Sequence, residues 1–457
     1  MFTKSKGLLC VFGGFLIHFS LGTIYTFGNI SPYMASYLKF MSKNQDISNG
    51  DMVWVFACAF AFQGLTMTFG GILNKKIGPR FTTLIGCWIM SISVMLTYFT
   101  IKENIYITIF TYGALFGAGI GIAYSVAIAT AMKWYPARRG LVIGIVVGGF
   151  GLGSLVFNQV QTFFINPHNE SPNITIGTDK YFGDKKMLER VPICFLLIGG
   201  IYASLQFIGC MLQFTPSIFE ITGEIVVTEE LEKESSLNVC IEEVVNSEII
   251  ECEYNNQIQN DVKSIDALKK RDFWILWLTL MFAGIVNVFS TTLYKTFGQL
   301  FINDDFFLAT VGSIASFFNA SGRIFWGQIM DKYSYKVAMR CITIITTVFI
   351  GTFICCKLVM HENGSKIMLT VWVCTLLANI CGVFSILPAA CSKAFGVKNV
   401  ATIYGMLFSA NAIASIFGAL STSILLSKVG YLGIFEIGAG MAIIAFLLTF
   451  AHAKSDL

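Results

Sequence analysis

Arg323 is the residue whose type and position most clearly imply chemistry. It lies in a stretch from Phe306 to Ile329 that is otherwise apolar and is long enough to cross a bilayer. A guanidinium at that depth costs about 3 kcal/mol or more, so it is normally retained because an anion lies opposite it. Its planar fork of donors matches a carboxylate and cannot be switched off by deprotonation. No Asp or Glu lies within four residues on the same helix face, which favours a bound organic anion over a local ion pair.

Three other polar residues bear on this site. Asn319 precedes Arg323 by one helical turn, so its amide can hydrogen-bond the guanidinium but cannot carry a proton. His18 is a lone imidazole in the first apolar stretch, and either packing or a proton relay would explain it. Glu436, in the last apolar stretch, is the other titratable candidate for a relay, and only the fold could bring it to Arg323.

Enzyme chemistry has no support in the sequence. We find no nucleophile–base set, phosphate-binding loop or cluster with metal-ligand spacing. The 13 Cys are scattered through apolar stretches without a CxxC pair, which is typical of small buried hydrophobes with reduced thiols. We therefore predict no enzyme, cofactor, metal site or nucleic-acid partner.

The composition is that of an integral membrane protein. Of the 457 residues, 55% are hydrophobic and only 13% are charged, and the mean hydropathy is +0.69. A soluble chain carries about twice that charged fraction. The apolar stretches are continuous rather than alternating, which favours helices over a barrel. We predict an all-α membrane protein, expected to be a monomer in the bilayer, with twelve spans at about 7–30, 53–73, 82–100, 105–131, 140–165, 191–213, 273–297, 306–329, 338–358, 367–390, 401–426 and 431–452.

The charges of the short connections predict the orientation of these spans. One side collects the basic residues, which by the positive-inside rule makes it cytosolic. These residues are Lys4, Lys6, Lys75, Lys76, Arg80, Lys133, Arg138, Arg139, Lys332, Lys336 and Lys454. The opposite side receives residues 166–190, with glycosylation patterns at Asn169 and Asn173. The short basic N-terminus does not resemble a cleavable signal, so both termini are predicted to be cytosolic. The plasma membrane is the default location, and an organelle envelope is the alternative.

A polar segment divides the spans into two sets of six. Residues 215–271 are rich in Glu, which is typical of a flexible linker. We predict an N-terminal bundle at 1–213, an acidic cytosolic linker at 214–272 and a C-terminal bundle at 273–457. A regulatory docking role for the linker is the alternative.

The two halves repeat a turn. Gly70 begins a basic turn that ends at Arg80 after the second span, and Gly327 begins a similar turn through Asp331 after the eighth. A repeated glycine-led turn at matching places indicates an internal repeat. We predict that these turns form a charge clasp on the cytosolic face, with Arg138 and Arg139 in the same gating set. Ordinary positive-inside residues would explain the lysines but not the glycine spacing.

Six plus six spans with this turn resemble the major facilitator superfamily. Three segments resemble more narrowly its oxalate–formate antiporter and monocarboxylate carrier branch. They are Gly117–Gly153, with the Trp134–Gly140 turn and a glycine-rich fifth span, Asn319–Gly327, and Phe395–Gly405. The resemblance implies two pseudo-symmetric bundles of six helices.

The resemblance also implies a binding site. In that branch the arginine at the position of Arg323 pairs with the substrate carboxylate. Dicarboxylate carriers add a lysine on the eleventh span, where this chain has Asn411, and proton-coupled carriers have an acid where it has Asn319. One buried cation neutralises one carboxylate, which favours a monocarboxylate. The resemblance further assigns Tyr25, Gln63 and Tyr124 as polar or aromatic pocket positions, and Phe384 and Phe408 as aromatic walls.

We therefore predict a carrier of a small monocarboxylate of the pyruvate, lactate or formate class, working by alternating access. Its partners are an organic anion, the bilayer and, if transport is coupled, a proton. The alternatives are the same fold carrying a dicarboxylate, an amino acid or a neutral solute, or a membrane sensor that does not transport.

Overall fold

The computed structural model describes residues 2–42, 47, 49–168, 170, 172–176, 179–216, 262–298, 300–302, 304–359 and 361–451. The acidic part of the linker, the Asn169 pattern and Lys454 lie outside the described residues. Predictions that concern them stay predictions.

The N-terminal half is built from apolar helices. The first span is longer than predicted, because a 3-10 turn at Gly22–Thr26 joins two helices and the second continues past Pro32 to Phe40. The fourth span contains a π-helical turn at Ile109–Leu115. The helices are α1 (Phe2–Leu21), α2 (Phe27–Phe40), α3 (Val53–Thr100), α4 (Ile105–Thr108), α5 (Phe116–Ala131), α6 (Arg139–Ile165) and α7 (Lys185–Met211).

The C-terminal half follows a short helix at the end of the linker. Its tenth span is broken at Cys381 and Gly382, between two helices. The helices are α8 (Ser264–Ala267), α9 (Arg271–Gly298), α10 (Asp305–Lys332), α11 (Tyr335–Gly351), α12 (Glu362–Ile380), α13 (Val383–Phe395) and α14 (Val400–Leu448).

Two of these helices each contain two spans. Gly78 breaks α3 with φ 80° and ψ 172°, and Gly430 breaks α14 with φ 65° and ψ −174°. Glycine adopts these positive φ values without the steric penalty of a Cβ. Ten helical segments of the described residues are long and apolar enough to cross a membrane. With α3 counted as two crossings and α10 added, the twelve predicted spans are accounted for.

A short hairpin lies in the loop before α7 and was not predicted. Strands β1 (Ile174–Ile176) and β2 (Asp179–Tyr181) pair antiparallel. Phe182 follows β2, stacks on Tyr33 of α2 at 4.8 Å between ring centroids and donates its backbone N–H to the Ser36 hydroxyl at 3.0 Å. The loop is thus fastened to the end of the first span.

The halves meet along two seams at their basic ends. Along the first, Gly71 of α3 lies so close to Thr402 of α14 that a Cβ would stand 2.4 Å from the threonine Cα. Along the second, a Cβ on Gly140 of α6 would stand 2.3 Å from the carbonyl oxygen of Gly327 in α10. Small residues allow helix backbones to approach this closely. The second seam continues up α6 to the level of Arg323, because Gly144 lies against the Arg323 carbonyl oxygen.

Candidate functional site

Arg323 is buried between the two halves. Its side chain projects from α10 and is 1% exposed. The Nε–H donates to the Asn319 Oδ1 at 2.9 Å, as the one-turn spacing predicts, and Nη1 has no hydrogen-bond partner. Among the described residues no carboxylate forms an ion pair with it. A buried donor without an acceptor is expensive, so this nitrogen is available to an anion.

Asn319 orients the guanidinium and is itself held by the tenth span. Its Nδ2 donates to the Cys381 thiol, at the break between α12 and α13. On its other side Gly151 of α6 leaves room for the amide, because a Cβ there would stand 2.9 Å from Oδ1. The sequence analysis did not identify Cys381, because a thiol in an apolar stretch looks like packing. The one sequence signal for Cys381 was the glycine that follows it, Gly382, where the tenth span is broken.

Aromatic rings from both halves surround the guanidinium. Its Cζ lies 5.7 Å from the Phe150 ring centroid and 5.6 Å from that of Phe384, within cation–π range. The Tyr25 and Tyr124 hydroxyls lie beside it and interact with its charge. The structure therefore brings Tyr25, Tyr124 and Phe384 to Arg323, together with Phe150, which the sequence analysis missed.

Phe408 closes the aromatic wall. Its ring centroid lies 5.7 Å from Tyr124 and 5.9 Å from Phe384. Tyr404, one turn earlier on α14, stacks edge-on against Phe408 at 5.8 Å, and its buried hydroxyl has no hydrogen-bond partner. Tyr404 lies in the Phe395–Gly405 segment, but the sequence analysis did not assign it to the site, since nothing in the sequence distinguishes it from a packing residue.

Gln63 and Asn411 are buried, but the contacts described for them do not involve Arg323. The Gln63 Oε1 has no hydrogen-bond partner. The Asn411 Oδ1 lies against Gly284 of α9, 3.0 Å from where a Cβ would stand, and so is turned toward a helix of its own half. Their assignment to the pocket stays a prediction.

The proposed relay residues are not brought together. The His18 Nδ1 lies 3.0 Å from the Gly14 carbonyl oxygen, its Nε2 has no partner, and its ring packs 4.7 Å from Tyr124. Glu436 is exposed near the start of the last span. Among the described residues, no hydrogen bond or ion pair joins Glu436 to Arg323.

The Gly327 turn carries an acid that contacts the other half. Asp331 accepts from the backbone N–H groups of Gly140 and Leu141 at 2.7 Å each, which caps the first turn of α6 across the seam. The pKa of the Asp331 carboxyl is raised overall. Burial raises it by more than the two backbone donors and the nearby Arg139 charge lower it.

The other predicted gating residues behave differently. Arg80 donates from Nε to the Gln213 carbonyl oxygen at 2.8 Å and lies over the Phe214 ring at 4.3 Å, so it fastens the start of the linker. Gly70 packs against the Ile122 carbonyl of its own half. Arg138 is exposed, and the described residues show no contact for its side chain.

A cavity of about 730 Å³ lies elsewhere. It is an apolar groove on the outer surface of the bundle, between α10, α11 and α12. Its lining includes Phe325, Trp326 and Val337. The side chain of Arg323 is not among its lining residues, so the groove is not part of the candidate site.

Comparison with known proteins agrees with this architecture. The sequence profile of the Major Facilitator Superfamily matches residues 10–355 and 273–455. The chain is 26% identical to apicoplast pyruvate carrier 1 of Toxoplasma gondii, over 93% of this chain and 84% of that protein. It is 24% identical to the oxalate:formate antiporter of Oxalobacter formigenes, over 90% and 84%.

A solved structure shares the fold. The proton:xylose symporter XylE, bound to 6-bromo-6-deoxy-D-glucose, superposes with a TM-score of 0.68 at 14% identity, over 99% of this chain and 97% of that chain. Helix content, paired bundles and the profile match all agree: this chain belongs to the Major Facilitator Superfamily and is a multi-pass membrane transporter rather than an enzyme.

Proposed function

We propose that the chain carries a small monocarboxylate of the pyruvate, lactate or formate class, with Arg323 as the anion anchor. The observation that carries this proposal is the buried guanidinium between the halves, whose Nη1 has no partner and which meets no carboxylate among the described residues. A bound carboxylate would supply the missing acceptor and the opposite charge. Asn319 holds the fork in place for it.

The relatives support an organic acid. Two are named apicoplast pyruvate carriers of Toxoplasma gondii, and one is named an oxalate:formate antiporter. We favour a single carboxylate because Asn411 stands where the dicarboxylate carriers have a lysine. The aromatic wall formed by Phe150, Phe384 and Phe408 suits a short carbon tail.

Alternating access is the proposed mechanism. The seams close the basic ends of the two bundles, and we propose that transport parts them while the opposite ends approach. Loading at Arg323 from one side is then followed by release on the other. We propose that the basic ends and both termini face the cytosol, in the plasma membrane or, as for the named apicoplast carriers, in an organelle envelope.

The residue one turn before Arg323 bears on whether transport is coupled to protons. Asn319 cannot carry a proton, so proton symport through that position is not part of the proposal. Exchange and facilitated diffusion remain the alternatives, and a vesicle assay with and without a pH gradient separates them from symport.

The decisive test is uptake by the purified chain in lipid vesicles, using pyruvate, lactate, formate, oxalate, an amino acid and a neutral sugar. Arg323→Ala is expected to reduce monocarboxylate uptake at least about 30-fold, because about 2 kcal/mol of charge-assisted hydrogen bonding is lost. Arg323→Lys keeps the charge but not the fork, so an intermediate loss is expected.

The matched control is Arg340→Ala. Arg340 is a partly buried arginine that bonds Thr449 and lies over the Phe450 ring, away from the centre. Its removal should leave uptake nearly unchanged. Uptake of a neutral solute that survives both Arg323 variants would overturn the carboxylate assignment. Loss of function on deleting residues 229–260, without effect on folding, would favour the sensor alternative.

A further inference from the structure

The last residues of the linker are fastened to the C-terminal half. Val262 donates its N–H to the Phe395 carbonyl oxygen at 3.0 Å, and its own carbonyl accepts from the Asn399 Nδ2 at 2.7 Å. Ala267 of α8 is fully buried in the main hydrophobic core. The Trp274 Nε1 of α9 donates to the Leu268 carbonyl at 2.8 Å. The segment 262–268 is therefore an arm of the C-terminal half with a fixed position.

This arm reaches the N-terminal half through the Ser264 hydroxyl. The Ser264 Oγ accepts from the ammonium of Lys75, in the basic turn of α3, at 3.1 Å. Lys75 also lies close enough to Lys398, which precedes α14, for the two charges to repel. Lys75 and Lys398, which adjoins the Asn399 that bonds Val262, thus come from opposite halves at the first seam.

This contact crosses a junction that must part during alternating access. Gly71 and Thr402 touch a few residues away, on the same two helices. The first turn of α14 has no side-chain cap, since Asn399 makes no capping hydrogen bond. A negative charge added at this place would lie next to the first turn of α14 and to Lys75. We expect it to stabilise the conformation in which the first seam is closed.

We propose that Ser264 is a phosphorylation site that locks the first seam. A phosphoryl group carries about −1.5 to −2 charges and three acceptor oxygens, enough to engage lysines of both halves at once. A kinase would transfer the γ-phosphoryl group of a nucleoside triphosphate. The Ser264 Oγ forms the new P–O bond, the bond to the β-phosphate oxygen breaks, and the hydroxyl proton passes to the kinase base.

The acidic linker before residue 262 is the segment that we expect a kinase to bind. Because the arm is continuous with the linker, a kinase that binds the linker would be delivered to Ser264. The inference rests on alternating access but not on the identity of the substrate. Its test therefore reads the seam directly and requires no transport.

The reporter is Thr402→Cys, a buried position on the seam, treated with a hydrophilic maleimide in purified protein. The background carries Cys240→Ser, Cys252→Ser and Cys341→Ser, which removes the linker thiols and an exposed thiol. Phosphoserine installed at position 264 is expected to slow alkylation about tenfold, and Ser264→Glu about threefold, since each adds charge-assisted contacts across the seam.

Two controls separate a lock from a general charge effect. Ile265→Glu puts the same charge on a neighbouring side chain that is 74% exposed, and it should leave the rate unchanged. Lys75→Ala combined with Ser264→Glu should remove most of the protection. Equal protection by Ile265→Glu, or full protection without Lys75, would overturn the proposal, as would faster alkylation in Ser264→Glu.

The modification itself is tested on the chain purified from its own cells. Mass spectrometry of the peptide that contains Ser264 is expected to find one added phosphate. Unmodified peptide under every growth condition would overturn the assignment. Because neither readout involves substrate, a negative result here and a negative result with Arg323 are distinguishable.

Discussion

The two seams between the halves share a backbone design but differ in charge. Residue 331, four positions after Gly327, is an aspartate that caps the first turn of α6. Residue 74, four positions after Gly70, is an asparagine, and the described residues show no hydrogen bond from its side chain. The second seam therefore has an acid clasp. For the first seam, the described residues show close packing and the contact with the linker arm.

The repeated turn has two roles, close approach of the helix backbones and capping of a helix in the other half, and the difference between the seams separates them. Close approach of backbones requires small residues and recurs in both halves, at Gly71 and Gly140. Capping requires an acceptor of the right reach and is found in one half. A pseudo-symmetric carrier of this kind can thus hold its two seams with unequal strength. We expect the seam without an acid clasp to respond more strongly to an added charge.

The largest expected effect comes from filling the close approaches. Gly140→Ala and Gly71→Ala each place a Cβ within 2.4 Å of backbone atoms across a seam. Overpacking of this kind costs up to about 3 kcal/mol, and here it falls on the closed state. Alkylation of Thr402→Cys should accelerate in both. Gly440→Ala, where a Cβ meets nothing within 4 Å, is the control. A response from only one of the two glycines would break the shared part of the comparison.

Removal of the clasp comes next. Asp331→Ala leaves the Gly140 and Leu141 N–H groups without this acceptor and should weaken the second seam by about 2 kcal/mol. The same alkylation assay measures it. Asp331→Asn keeps one acceptor oxygen and should lose less. Asn74→Ala is the matched control in the other half, and an equally large effect there would contradict the asymmetry.

The converse substitution should add a clasp. By analogy with Asp331 and α6, we expect Asn74→Asp to bring a negative charge to the uncapped start of α14, where the helix dipole favours an anion by about 0.5–1 kcal/mol. Slower alkylation of Thr402→Cys is expected. An unchanged rate would show that residue 74 does not reach α14, and that the seams differ in geometry as well as in charge.

The smallest effect is expected at Arg138. Its side chain is exposed, so Arg138→Ala should change the closed-state preference by less than about 0.5 kcal/mol. Arg139→Ala should matter more, because the Arg139 charge acts on the Asp331 carboxyl. A thermal-stability scan in detergent, read together with the alkylation rate, compares the two. A larger loss for Arg138 would reassign the gating arginine.

Much of the fold was predictable because bilayer thickness sets span length. The breaks at Gly78 and Gly430 fall between predicted spans, where a turn was required. The extension of the first span to Phe40 was not predicted, because a proline usually ends a helix but is tolerated at Pro32, six residues into α2. Nor was the hairpin at 174–181, whose short strands carry little signal.

At the site, local spacing was predictable and long-range packing was not. The Arg323–Asn319 hydrogen bond follows from one helical turn. Phe150 and Cys381 come from distant spans, and in the sequence an aromatic ring or thiol facing an arginine resembles one facing lipid. The family resemblance pointed to Tyr25, Tyr124 and Phe384, which lie at Arg323, but gave no sign of Phe150 or Cys381.

The hydrogen bond of His18 limits how a proton could travel through this protein. The Gly14 carbonyl can only accept, so it holds the imidazole in the tautomer with hydrogen on Nδ1 and leaves the lone pair on Nε2. A proton taken up at Nε2 would have no onward path through the ring unless the Gly14 contact broke. Proton transfer through His18 would therefore require the imidazole to rotate away from the Gly14 carbonyl, so that both ring nitrogens could exchange protons.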